Sequence, residues 1–161
     1  MTIRTGDRVP SATLHEMTSD GPTSRTVDEL TRGRRVIIIG LPGAFTPTCS
    51  SKHIPGFVEY YPKLKAKAID EIMCVSVNDA FVMDAWAKAL GTDGKVRMLG
   101  DGNAEFVKAA GLDVDMTARG MGVRSRRYAM LVDDGVVKSL NLDEPGKFEV
   151  SDACTLFGQL D

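Results

Sequence analysis

Residues 35–57 read RVIIIGLPGAFTPTCSSKHIPGF. Four branched residues, Val36, Ile37, Ile38 and Ile39, stand near its start, and an apolar run without alternation predicts a strand buried on both faces. Gly40, Pro42, Gly43 and Pro47 then forbid further strand and force a turn-rich loop. The polar run Cys49-Ser50-Ser51-Lys52-His53 starts a helix, with Thr46 or Thr48 as its N-cap. One cysteine therefore stands where a buried strand hands over to a helix N-terminus. The unpaired N–H groups and positive dipole end of a first helical turn favour an anion there. A free thiol, with a pKa of about 8.5, is mostly protonated at neutral pH. Lowering that value by about two units, roughly 2.7 kcal/mol, makes the thiolate the majority form. A helix end supplies part of the shift and a nearby arginine the rest.

The remaining composition narrows the class. A chain of 161 residues suits one well-buried domain, 1–161. Twenty Lys and Arg against 22 Asp and Glu give a net charge of −2. That balance makes no electrostatic case for nucleic acid or an anionic membrane surface as partner. The longest apolar run is far too short to span a bilayer, and the opening Met1-Thr-Ile-Arg-Thr-Gly-Asp lacks the apolar core of a secretory signal. Three scattered cysteines make neither a disulfide framework nor a metal-ligand cluster. The expectation is a cytoplasmic globular enzyme or binding domain.

Outward from the central stretch, Ala12-Thr-Leu-His-Glu-Met suits an edge strand or hairpin. Thr26 with Glu29 three residues later reads as a capping box. A helical pattern runs from about Thr48 to Ala68, bent near Pro55 and Pro62. Ile72 to Val77 is a second buried strand, after which Asn78 or Asp79 caps a helix whose face carries Phe81, Val82, Ala85, Trp86 and Leu90. Val96 to Leu99 is a short strand, Asn103 opens a helix ending at Gly111, and residues 112 to 125 form a long loop. Tyr128 to Val132 and Val136 to Leu140 are strands joined through Asp134-Gly135, a strong hairpin signal. Ser151 caps a terminal helix with Ala153, Leu156, Phe157 and Leu160 on its apolar face. The alternation implies an α/β, thioredoxin-like fold: a mixed sheet flanked by helices, parallel first and ending in an antiparallel hairpin and a helix. The thiol then lies at the carboxyl end of a parallel strand, where such sheets bind ligands.

The bland alternative for Cys49 is an inert core cysteine, but its neighbours Thr48, Ser50, Ser51 and Lys52 do not describe a core. Pro42-Gly-Ala-Phe-Thr46-Pro-Thr-Cys49 matches the PxxxTxxC motif of peroxiredoxins. With His53-Ile-Pro-Gly-Phe, Ser76-Val-Asn-Asp-Ala-Phe-Val and Arg124-Ser-Arg-Arg-Tyr, the chain resembles the type II, peroxiredoxin-five subfamily from about Gly6 to Leu160. The resemblance implies a thiol peroxidase that reduces hydrogen peroxide and organic hydroperoxides through a cysteine sulfenic acid, in antioxidant defence and redox homeostasis. It implies no bound cofactor, a thiol reductant as co-substrate, and a homodimer formed around the active-site loop.

The same resemblance gives Cys49 the role of nucleophile and Pro42 that of a shield, with Thr46 and one arginine as donors. A thiolate attacks one peroxide oxygen while charge gathers on the other, so fixed donors along that line are what the chemistry needs. Thr46 can bring its hydroxyl to the sulfur, beside backbone N–H groups of Thr48 and Cys49. For Thr46 the simpler role is an N-cap, and the two are compatible. Strand alternation sends Arg126 and Arg127 to opposite faces and does not choose between them; matching the family's motif selects Arg127. Arg124 and Arg126 are then expected in solvent or on carboxylates.

His53, four residues after Cys49, invites a hydrolase reading with histidine as base. The family carries a histidine here without that role, so hydrogen bonding or core contacts are expected. A sulfenic acid must meet a second thiol. Cys74 is 25 residues on, 74 − 49, the spacing of plant type II enzymes, yet it lies inside an apolar strand; it is the candidate resolving residue. Cys154 falls a few residues past the animal resolving position. A one-cysteine cycle, with glutathione, glutaredoxin or thioredoxin as reductant, is therefore expected. The alternative is a peroxide-sensing signalling protein that turns over only incidentally. A disulfide oxidoreductase is disfavoured, since no C-x-x-C is present.

Overall fold

The computed structural model describes residues 1–92 and 94–160. In chain order it contains β1 (Thr13–Thr18), β2 (Gly21–Thr26), α1 (Val27–Thr31) and β3 (Arg35–Gly40). A π-helical turn (Cys49–His53) runs into α2 (Ile54–Ala66), followed by β4 (Glu71–Ser76), α3 (Ala80–Leu90), β5 (Arg97–Gly100) and α4 (Glu105–Ala109). Then come β6 (Asp113–Asp115), a 3-10 turn (Thr117–Arg119), β7 (Val123–Ser125), β8 (Tyr128–Asp133), β9 (Val136–Leu142) and α5 (Ala153–Gly158).

The branched run is the middle of this architecture. Seven strands pair in the order β2-β1-β5-β4-β3-β8-β9, with β3 between a parallel β4 and an antiparallel β8. Successive side chains of a strand point to opposite faces, so β3 feeds two cores. Val36 and Ile38 join Leu30, Phe106, Tyr128 and Met130 on one side. Ile37 and Ile39 join Ile54, Phe57, Met83, Trp86 and Leu156 on the other. All four are buried, each contributing about 1.5–3 kcal/mol before the cost of chain ordering. The mixed thioredoxin-like sheet is the one expected, parallel through β3, β4 and β5 and closed by the β8–β9 hairpin.

Local chemistry accounts for the element ends. Thr26 and Glu29 form the reciprocal capping box. Asp134 and Gly135, at φ 48° and 80°, make the left-handed two-residue turn that joins β8 to β9. At Gly40 a side chain has no room unless Tyr128 shifts: an added Cβ would lie 2.0 Å from Cε1 of that ring, which crosses the strand end.

Several boundaries differ from expectation. Residues 112–125 are not a plain loop; β6 and β7 pair as an antiparallel ribbon around the 3-10 turn. Each strand has three residues, too few for alternation to register in sequence. The helix expected from Asn103 starts at Glu105, because the buried Asp101 carboxylate accepts from the N–H groups of Phe106 and Val107. Asp152, rather than Ser151, caps α5. The buried face of α3 is Ala80, Met83 and Trp86, leaving Phe81 60% exposed.

Candidate active site

At the end of β3 the chain crosses Leu41 and Pro42 and turns tightly through Gly43, Ala44 and Phe45. Phe45 adopts a left-handed φ of 64°, unusual for a residue with a Cβ and costing about 1–2 kcal/mol. Its ring lies 6.4 Å from that of Trp86, and Asn78 Oδ1 accepts from the Ala44 N–H at 3.0 Å. Pro47 opens the helical segment at a position where its missing N–H costs nothing. Neither threonine caps it: Thr48 makes no side-chain cap, and the Thr46 hydroxyl donates back to the Gly43 carbonyl at 2.7 Å. The next turn is wound as a π-helix, closed by the Ile54 N–H on the Cys49 carbonyl. It turns Cys49 and His53 inward while Ser51 and Lys52 stay exposed.

Cys49 is therefore inside the apolar cluster of one sheet face, fully buried, contrary to the open setting its polar neighbours suggest. Its polar access is through Arg127. Nη2 of Arg127 donates to Cys49 Sγ at 3.2 Å, and Nη1 donates to His53 Nδ1 at 3.0 Å. His53 in turn donates from Nε2 to the Ser151 carbonyl, also at 3.0 Å. Burial, with the Arg127 charge beside it, lowers the His53 pKa from 6.5 to about 3. The imidazole is neutral at physiological pH, its one lone pair already taken, so it is no general base.

Arg127 and Thr46 line a cavity of about 590 Å³ with Pro42, Pro47 and Thr48. The opposite wall comes from the β6–β7 ribbon and from residues 144–148, including Met116, Met121, Pro145 and Phe148. The Phe148 ring is centred 5.1 Å from that of His53 and 5.7 Å from the Arg127 guanidinium carbon. One buried carboxylate holds this wall. Asp143 accepts from the N–H groups of Glu149, Val150 and Ser151 and from the Ser151 hydroxyl. Burial pushes its carboxyl up, but the Ser151 hydroxyl and the three N–H groups outweigh it and leave the pKa below the ordinary value.

The other arginines bind carbonyls, not the carboxylates or solvent expected of them. Arg124 ties the cysteine loop to the ribbon, donating to Pro42 O at 3.2 Å and Met121 O at 2.9 Å. Arg126 donates to the Asp143 carbonyl at 3.2 Å. Cys74 lies in the same core cluster as Cys49, fully buried. Burial, and then the neighbouring Cys49, push its pKa well above the ordinary thiol value, against a smaller opposing effect of Arg127. Cys154 is exposed at the start of α5, and all three thiols are free. Four contributors were not read as site residues from the sequence: Asp143 and Phe148 gave no signal, while Asn78 and Ser151 stood out only as helix caps, a place the structure gives to Asp79 and Asp152. Asn78 could have been found, since it falls inside one of the matched blocks.

A buried thiol under a guanidinium, at the strand-to-helix junction of a thioredoxin-like sheet and below an open cavity, defines a thiol-peroxidase type of site. Comparison with known proteins agrees. The Redoxin family profile matches residues 4–156. The chain is 54% identical over 157 residues to peroxiredoxin-2E-2, chloroplastic, of Oryza sativa subsp. japonica, covering 94% of this chain and 70% of that one. It is 46% identical over 152 residues to peroxiredoxin-2B of Arabidopsis thaliana, covering 94% of each. The solved structure of reduced Prx3 in complex with hydrogen peroxide, from Vibrio vulnificus, matches with a TM-score of 0.96 at 47% identity, over 99% of this chain and 100% of that one. The chain belongs to the Redoxin family and, within it, to the type II peroxiredoxins, which are thiol peroxidases.

Proposed function

We propose that Cys49 is the peroxide-attacking sulfur of this peroxidase, with Arg127 as its polar partner, Thr46 as a contact for the peroxide and Pro42 as the shield at the cavity wall. The observation that carries the assignment is the 3.2 Å hydrogen bond from Arg127 Nη2 to Cys49 Sγ beneath the cavity. The thiolate attacks one peroxide oxygen, an S–O bond forms and the O–O bond breaks. The departing oxygen takes a proton and leaves as water or an alcohol. Arg127 reaches the sulfur and also lines the cavity, so its fixed charge can follow the negative charge as it moves from sulfur to the departing oxygen. Thr46 takes a different part from the donor role suggested by its sequence position. Its own proton is engaged by Gly43 O, so its oxygen accepts the peroxide O–H and orients it.

The resulting sulfenic acid is reduced by an external thiol, with glutathione and glutaredoxin or thioredoxin as the source. Two thiols give a disulfide and water. Burial and the raised pKa of Cys74 support this one-cysteine cycle, because a neutral thiol within a strand is a poor nucleophile. Phe45 and Phe81, 55% and 60% exposed beside the cysteine loop and in the first turn of α3, support a homodimer formed through that face.

Steady-state peroxide consumption, with each reductant in turn, tests the reading. Arg127→Gln is expected to slow Cys49 oxidation by about 10²–10³-fold, and an undiminished rate would remove Arg127 from the mechanism. A protein oxidised once that then stalls with every thiol supplied would be a sensor instead.

A further inference from the structure

Resting on Cys49 and Arg127 in those roles, we infer that His53 is a positioning residue, holding the guanidinium on the sulfur while itself held by the segment from Asp143 to Ser151. A guanidinium carries five N–H donors and no acceptor. With Nη2 on the sulfur, Nη1 needs an acceptor, and His53 Nδ1 supplies it at 3.0 Å. That role requires the imidazole proton on Nε2, where the Ser151 carbonyl receives it. The reverse tautomer, or an imidazolium, would set an N–H against an N–H.

Ser151 is fixed in turn, since both its N–H and its hydroxyl donate to the buried Asp143 carboxylate. Phe148, in the same segment, has its ring against both His53 and Arg127. The path Cys49–Arg127–His53–Ser151–Asp143 thus leaves the guanidinium one direction to face. His53 touches neither the cavity nor the sulfur by any hydrogen bond, so it acts through Arg127 alone. Without it, Nη1 turns toward water in the cavity and the Nη2 contact loosens.

Two substitutions separate the halves of the imidazole. In His53→Asn the amide oxygen occupies the place of Nδ1 and can accept from Arg127. In His53→Gln the amide reaches the place of Nε2, keeps the Ser151 contact and deprives Arg127 of its acceptor. The second-order rate of Cys49 oxidation by hydrogen peroxide, followed by stopped flow, is expected to fall about ten- to a hundredfold in His53→Gln. His53→Asn is expected to recover to within about fivefold of the original rate, the size of one neutral hydrogen bond. In an Arg127→Gln background the difference between the two should vanish. Equal losses in both, or a difference that persists without Arg127, would overturn the inference.

Nitrogen-15 spectra of the unsubstituted chain give a check that no folding defect can obscure. A neutral imidazole protonated at Nε2 is expected at about pH 7, and protonation at Nδ1 would refute the assignment. Peroxide consumption by Cys49→Ser would instead sink the underlying reading, which keeps the two failures distinct.

Discussion

The buried neutral histidine makes the fold lose stability in mild acid, and the loss can be calculated. In the unfolded chain His53 titrates near 6.5; in the folded chain it stays neutral down to about 3. Between these values the unfolded state binds a proton that the folded state refuses, so stability falls as pH falls through that window. Taking pH from about 7 to about 5 integrates to about 2 kcal/mol for one such group. At roughly 2–4 °C per kcal/mol for a domain of this size, the unfolding midpoint drops by about 4–8 °C from His53 alone. Circular dichroism melts at the two pH values, for the unsubstituted chain and for His53→Asn, isolate that contribution, since every other group is common to both. The substituted chain should lose about 4–8 °C less on acidification. An identical acid shift in both would mean that His53 is protonated in the folded protein, and the single-tautomer path to Arg127 would fail with it.

Three further outcomes follow from other contacts. Asp143→Asn keeps one acceptor oxygen but turns an NH₂ toward the donors of Ser151, and is expected to cost about 2–4 kcal/mol with a matching fall in the melting midpoint; because the Asp143 pKa is depressed, its contribution is present above the ordinary carboxylate value and lost as pH falls below it, so the deficit should shrink in strong acid, and a deficit that does not shrink would refute this. Gly40→Ala drives a methyl into the Tyr128 ring and should cost about 3 kcal/mol or more in denaturant titration; unchanged stability would show that the ring has room to move. Cys74→Ser buries an unpaired hydroxyl and should lower stability by about 1–3 kcal/mol, yet it and Cys154→Ser should both retain peroxide turnover with glutathione and glutaredoxin; lost turnover in a folded Cys74→Ser would make Cys74 the resolving thiol.

What could be read in the sequence was whatever local chemistry imposes. Val36 to Ile39 announce a doubly buried strand, Thr26 and Glu29 their capping box, and Asp134-Gly135 a turn that needs two left-handed residues. The cysteine loop was legible because its prolines and glycines leave the backbone few choices, and Arg127 because a family motif selected it. What stayed hidden depends on contacts across the fold. Polar neighbours suggested an open Cys49, but one π-helical turn rotates it into the core. Arg124 and Arg126 looked like solvated charges because backbone carbonyls, their actual partners, carry no sequence signature. Asp143 and Ser151 lie about a hundred residues from His53, and no periodicity links them. Even the α3 face, read one position out of phase, was settled by which side the sheet lay on.

Peptide mapping by mass spectrometry after one equivalent of hydrogen peroxide, with and without glutathione, reaches the core of the matter most directly. Sulfenic acid on Cys49 alone, converted by glutathione to a mixed disulfide at the same residue, is the expected result, and Cys49→Ser should leave the peroxide unconsumed. First oxidation at Cys74 or Cys154, or undiminished consumption by Cys49→Ser, would contradict it.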